Sequence, residues 1–297
     1  MLTRREFVRT AGQAALFTTV VRHTRMSAQS PRVFCLFSKH LPELTWGDLG
    51  RAVQDAGFEG VDLTVRPGGH VLPERAADDL PRAVEALIAQ GVKVPMITTD
   101  LTSANVPIAR PLLQAAAKIG VRYFKTGYWR YSASPDVRTQ VAEAGKALEG
   151  LAALARECGI EMGFHNHQAY IGAALWDIAP VMDRLDARWA GYYFDPRHAV
   201  AEGGGGAWKA ATHLVSSRLK MLAVKDCRWT KSAKGWAIEN CPLGEGQVDW
   251  AFVGKALKDA QFAGPISVHL EYEIPSGTGQ TLAAARRDLA VARKFPT

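Results

Sequence analysis

EMGFHNH, residues 161–167, is an apolar run of strand length that ends in two imidazoles, and two further stretches repeat the pattern. GYYFDPRH (191–198) ends in Asp195 and His198, and ISVHLEYE (266–273) carries His269, Glu271 and Glu273. Each reads as a buried strand that terminates in ligand-type side chains, so three separate strands aim such groups at one place. That is the layout of a (β/α)8 barrel, in which function collects at the C-terminal ends of the strands.

Outward from these runs the same alternation continues. Strands are expected at about 33–37, 60–65, 93–98, 121–126, 160–166, 190–195, 219–225 and 265–271, with helical patterns between them. In LTWGDLGRAVQDAGF, Thr45 stands where a cap is needed, and Leu49, Val53 and Ala56 form an inward stripe. Residues 76–91 and 137–159 repeat that pattern, and each stretch ends at a glycine. Eight strands alternating with helices favour a parallel sheet with right-handed crossovers. A doubly wound open sheet is the alternative, weakened by the lack of a G-x-G-x-x-G turn after the first strand.

Residues 1–30 read as a twin-arginine export signal: Arg4-Arg5 is followed by Phe7, then a mildly apolar stretch from Ala11 to Val21, then Arg22, Arg25 and the small-residue segment MSAQS. An apolar run of about 11 residues is too short to cross a bilayer as a helix, so an exported or periplasmic protein without a permanent membrane anchor is expected. Residues 31–297 then form one domain, close in length to the ~250 residues of a single barrel. The leader's five arginines against Glu6 account for +4 of the formal +7. The remaining charge is small, which argues against a nucleic-acid partner. The four cysteines lack metal-finger spacing; Cys227 and Cys241 flank one loop and could pair in an oxidising compartment.

Side chains alternate across a strand, so His165 and His167 share a face while Asn166 points the other way. Asp195 and His198, in an Asp-x-x-His turn across Pro196, can converge on one metal or one substrate, or Asp195 can cap the next helix. His269 and Glu271 share a face, with Glu273 continuing it into the loop. A carboxylate at an apolar barrel mouth needs a cationic or ligand partner. On strand two, Asp62, Thr64 and Arg66 share a parity and His70 follows in RPGGH. Arg66 and His70 are candidates to hold substrate hydroxyls or a carboxylate, with an Asp62–Arg66 pair as the alternative. Lys225 and Asp226 end strand seven, where a cation could stabilise an enediolate oxygen. Tyr128, Trp129 and Tyr131, with Trp229 and Trp236, suggest an aromatic wall for a sugar face.

GVDLTV with RPGGH, the HNH run, FDPRHA, AVKD, PLGEGQVDW and HLEY, in that order, resemble the xylose isomerase-like barrel superfamily, and within it the exported sugar phosphate isomerase/epimerase group. The likeness runs from about Val33 to Leu289. It implies one divalent metal, manganese first with Mg2+, Co2+ or Zn2+ as alternatives, held by Glu, Asp, His and Glu at the ends of strands five to eight. Asp195 and Glu271 match two of those ligands. Two positions depart: His165 stands for the strand-five Glu, and Ala223 for the strand-seven His. His269, His167 and His198 are the imidazoles expected to complete the set.

The activity implied is isomerisation or epimerisation of a carbohydrate by proton transfer through an enediolate, with Glu271, or Glu273 if Glu271 is committed to metal, as base and Lys225 beside it. A keto-sugar (3-keto-glycoside) lyase or dehydratase of the same fold, fed by a partner sugar oxidoreductase, is the alternative. A non-catalytic carbohydrate-binding barrel is a further one. A nuclease of the apurinic-site type shares the Asp-x-x-His motif, but after strand seven this chain offers only Cys227-Arg228-Trp229 where such enzymes carry an Asp-x-His pair.

Overall fold

A computed structural model describes residues 32–133 and 136–295. The export signal read over residues 1–30 lies outside them. The chain after it forms β1 (Phe34–Phe37), β2 (Gly60–Thr64), β3 (Lys93–Thr98), β4 (Tyr123–Lys125), β5 (Glu161–His165), β6 (Ala190–Phe194) and β7 (Leu219–Val224). A hairpin, β8 (Asp226–Ser232) and β9 (Gly235–Cys241), precedes the eighth barrel strand, β10 (Ile266–Val268). The barrel closes in the order β1-β10-β7-β6-β5-β4-β3-β2, with every pairing parallel. The single (β/α)8 barrel expected from the sequence is the fold observed.

Strands such as β2 and β6 are buried along their whole length, because one face looks into the barrel and the other meets the helices. Inside, Met96, Tyr123, Tyr193, Met221 and Ala223 form an apolar plug. Gly163 makes room for it, since a side chain there would collide with the end of Met221. Ala223, the position at which the resemblance expects an imidazole, is thus part of the packing.

Helix boundaries follow local chemistry. Thr45 accepts from the Asp48 N–H ahead of helix Trp46–Asp55, and helix Val137–Cys158 stops at Gly159, whose φ of 74° a side chain would resist. Among the described residues no helix is long and apolar enough to cross a membrane.

The hairpin is an addition that the sequence reading does not contain. In its register Asp226 faces Cys241 and Cys227 faces Asn240. Directly opposed residues share a face, so Cys227 and Cys241 lie on opposite faces of the ribbon. Both thiols are free, and the suggested disulfide is not formed.

Candidate active site

The strand ends deliver a pocket of about 140 Å³ at the C-terminal mouth of the barrel, lined among others by Lys39, Arg66, Lys125, Lys225 and Glu271. His165, His167, His269, Tyr128 and Tyr193 complete its polar wall. A roomier hollow of about 480 Å³ lies on the outer wall between Val84, Ile88, Pro95 and Ile119, but Lys93 is its one titratable group. The chemistry is at the mouth.

Asp195 is its centre. Asn166, pointing away from the imidazoles on either side of it, clamps the Asp195 backbone with both ends of its amide, at 2.8 and 3.0 Å. The fully buried carboxylate caps helix Pro196–Gly203 through the His198 N–H and also meets three side chains: His165 Nε2 at 3.2 Å, Lys225 Nζ at 3.2 Å and His198 Nε2 at 3.6 Å. Capping and site roles, posed as alternatives from the sequence, coexist. Burial would push the Asp195 carboxyl up, but the Lys225 ammonium and the two imidazoles outweigh it and hold it well below the ordinary range. Burial pushes His165 down to about 3, partly offset by Asp195. The ring is therefore neutral at physiological pH, with Tyr128 Oη 2.9 Å from its Nδ1.

Glu271 is gripped differently. Lys39 Nζ lies 2.6 Å from one oxygen and Lys225 Nζ 2.9 Å from the other. Burial raises its proton affinity, but Lys225, His269 and Lys39 together hold the carboxyl well below the ordinary range. Lys225 thus bridges Asp195 and Glu271. Lys125, buried against the Tyr128 ring at 3.5 Å, has its pKa pushed well below that of a free lysine by desolvation, with Arg66 adding to the shift.

Of the residues proposed as metal ligands, His165, Asp195 and His198 gather, with their donor atoms within 4.8 Å of one another. Donors held at 2.0–2.2 Å around one tetrahedral ion stand roughly 3.4 Å apart, so the 3.2 and 3.6 Å separations suit a shared ion. His198 Nε2 is also buried without a hydrogen-bond partner. Two features oppose loading. Lys225 competes for the same Asp195 oxygen, and Arg197 Nη1 lies 3.0 Å from His198 Nδ1. A guanidinium only donates, so that contact keeps the ring proton on Nε2. An ion there requires Arg197 to fall back on Gln168 and Asn240, which already hold it. The three residues therefore form a candidate metal site that needs two rearrangements, of Arg197 and of Lys225.

The other assignments change. His269 is not among the three gathered donors: its Nε2 lies 2.9 Å from Tyr193 Oη, which donates to Asp62. His167 lines the pocket but its Nδ1 turns to the Gln168 carbonyl, and Glu271 is committed to the lysines. Asp62 lies outside the pocket lining, accepts from Thr98, Tyr193 and Ser267 and does not pair with Arg66; Arg66 lines the pocket over the Phe37 ring. His70 is used up between its own loop and the segment after β1, with one nitrogen on Thr64 and the other on the Leu41 carbonyl.

Asp226 is likewise structural. Its two oxygens receive the N–H groups of Cys227, Gly244 and Val248 and the Trp250 indole, pinning the PLGEGQVDW loop. Four donors exhaust what a carboxylate can accept. Trp129 packs on Phe164 outside the pocket, Trp229 and Trp236 sit exposed on the hairpin, and Glu273 is exposed beyond the rim. Phe37, Lys39, Thr98, Lys125 and Tyr193 also line the pocket and are not among the candidates that the sequence offers. Their strand-end positions and, for Tyr193, shared parity with Asp195 are the signals that could have found them.

The family model for xylose isomerase-like TIM barrels matches residues 51–295. No curated protein sequence matches the chain. Among solved structures, D-psicose 3-epimerase from Clostridium cellulolyticum H10 superposes with a TM-score of 0.69 at 14% identity, covering 89% of this chain and 99% of that one. The 3-keto-D-glucoside 4-epimerase of E. coli gives 0.65 at 13%, with 89% and 99% covered. A xylose isomerase-like TIM barrel protein from Mycobacterium smegmatis, in complex with magnesium, gives 0.67 at 16%, with 92% and 100% covered. At these identities the likeness carries the fold.

Proposed function

We propose that this chain, which belongs to the xylose isomerase-like TIM barrel family, isomerises or epimerises a carbohydrate by moving a proton on the carbon beside a carbonyl, through an enediolate. The observation that carries the reading is the pairing of Glu271, the one carboxylate lining the pocket, with Lys39 and Lys225 in a cation-rich mouth. Sugar epimerases among the structures of the same fold support the substrate class.

In the free protein Glu271 is ionised and its basicity is masked by two ammonium groups. A ligand carbonyl oxygen that draws one of them away unmasks the carboxylate next to the carbon whose proton it takes. The displaced ammonium then faces the oxygen on which enediolate charge develops, in a preformed and largely buried setting. Arg66, His167 and Tyr128 are placed to orient hydroxyls around it. Glu273 is too exposed to serve as base.

When bound, a divalent ion would add Lewis-acid polarisation of the carbonyl, and His165, Asp195 and His198 are the residues that would hold it. Two imidazoles and one carboxylate rank Zn2+ and Co2+ above Mn2+, and Mn2+ above Mg2+. A weakly held hard ion would lose the competition with Lys225.

Proton exchange between substrate and heavy water tests the reading over a panel of ketohexoses and 3-keto-glycosides. Exchange without net elimination supports it. Loss of a leaving group instead would identify a keto-sugar lyase, whose substrate carbonyl a partner oxidoreductase would supply. Export is proposed on Arg4-Arg5 and Phe7. Normal periplasmic recovery after replacement of both arginines by lysine would remove that proposal.

A further inference from the structure

Beneath the lysines and Glu271 lies a buried chain of polar groups that the proton transfer above does not use. Asp62 receives three hydroxyls: Thr98 at 2.7 Å, Ser267 at 2.8 Å and Tyr193 at 3.0 Å. Because the single Tyr193 hydroxyl proton goes to Asp62, its oxygen is left to accept, and His269 Nε2 stands 2.9 Å from it. The neutral ring must then carry its proton on Nε2 and leave Nδ1 bare.

Nδ1 is buried and without a hydrogen-bond partner. The nearest charged oxygen, Glu271 Oε1 at 3.9 Å, is too distant and has no proton to give. Phe37 stacks on the ring at 4.4 Å and fixes its plane, a half-turn of the ring would break the Nε2–Tyr193 contact, so Nδ1 stays in place, and His269 lines the pocket. A buried unmet acceptor is costly, so a site that keeps one open is preformed for a donor that arrives.

We propose that His269 Nδ1 accepts a hydrogen bond from a hydroxyl of the bound ligand, and that the Asp62–Tyr193 pair is the device that keeps this nitrogen unprotonated. The ligand class, a polyhydroxylated carbonyl compound, rests on the reading given under Proposed function, whereas the tautomer follows from this chain's own contacts. Desolvation also holds the imidazole well below its ordinary pKa, in keeping with a neutral ring. Tyr193 is a positioning residue here, since it acts through His269.

Nitrogen-15 NMR of histidine-labelled full-length protein tests this, with the His269 signals assigned by their loss in His269→Gln. The expected result is a pyridine-type Nδ1 and a pyrrole-type Nε2, with Tyr193→Phe moving the proton partly or wholly to Nδ1. A protonated Nδ1 in the parent protein, or a Tyr193→Phe spectrum unchanged from the parent, overturns the tautomer device.

Titration with the same ketohexose and 3-keto-glycoside panel tests the contact, with the His165 and His167 signals as reporters of occupancy. Occupancy that also shifts His269 Nδ1 toward the hydrogen-bonded position, and an affinity about tenfold lower in His269→Phe, supports it. Reporters that move while His269 Nδ1 stays fixed overturn the contact and leave the carbohydrate reading standing. Reporters that no sugar moves overturn the ligand class and that reading together.

Discussion

Asp226 and Glu271 end neighbouring parts of the barrel rim, following β7 and β10, and they are held in opposite ways. Asp226 is fully buried and every acceptor position on it is taken by a fixed donor of its own loop. Glu271 is partly exposed and held by two lysine ammonium groups on long side chains, one from the segment after β1 and one from the end of β7. The difference separates architecture from chemistry: a carboxylate closed off by backbone N–H groups organises a loop, whereas one masked by movable cations can be unmasked by a ligand. Acidity alone does not make the distinction, because both are strand-end carboxylates in the sequence.

The contrast breaks most visibly under substitution. Glu271→Gln keeps shape and loses the charge, so turnover should fall at least about a hundredfold while the unfolding midpoint changes little. Glu273→Gln, at an exposed position, should leave both near the parent value. Exchange kinetics and thermal unfolding on the same preparations check this pair. Asp226→Asn should do the reverse. Its amide would point donors at N–H groups that now find an acceptor, costing about 2 kcal/mol in urea unfolding. An Asp226→Asn protein of parental stability would place Asp226 back among the functional residues.

A smaller effect sharpens the metal side. His198→Ala removes one of three gathered donors, so bound Zn2+ or Co2+ should drop by about tenfold in equilibrium dialysis. Unchanged occupancy would remove His198 from the ligand set.

The smallest effect concerns pH. His40 accepts from the Leu270 N–H, and burial together with Lys39 lowers its pKa to about 3. Between an unfolded value near 6.5 and that folded value, the unfolded chain binds a proton that the folded chain refuses. His40 therefore contributes stability above about pH 6.5 that is lost progressively as pH falls toward 3. His40→Gln, which keeps an acceptor without a titrating ring, should show a shallower loss of urea stability between pH 7 and 5.

Much of this was legible in the sequence for a physical reason. Barrel strands are buried on both faces, so they stand out as apolar runs, and all eight fall where expected. The hairpin β8–β9 is exposed along most of its length and leaves no such trace, and its register, which separates Cys227 from Cys241, is a property of the pairing. His165, Asp195, Lys225 and Glu271 were readable from parity at strand ends. Lys39 was not, because it meets Glu271 across 232 positions of chain. The contacts of His70, Trp129 and Asp226 depend on which donors, carbonyls and rings the loops close around them, which the sequence does not display. His269 stands apart from the three gathered donors because Tyr193, from another strand, meets its Nε2 while donating to Asp62.

The central claim, that the mouth moves a proton at the carbon beside a carbonyl through Glu271, is tested most directly by deuterium wash-in from heavy water across ketohexoses and 3-keto-glycosides, comparing the parent protein with Glu271→Gln. The account predicts deuterium at that carbon for at least one sugar with the parent protein and at least about a hundredfold slower entry with Glu271→Gln. Binding of a sugar with no wash-in by the parent, or equal wash-in by both proteins, would contradict it.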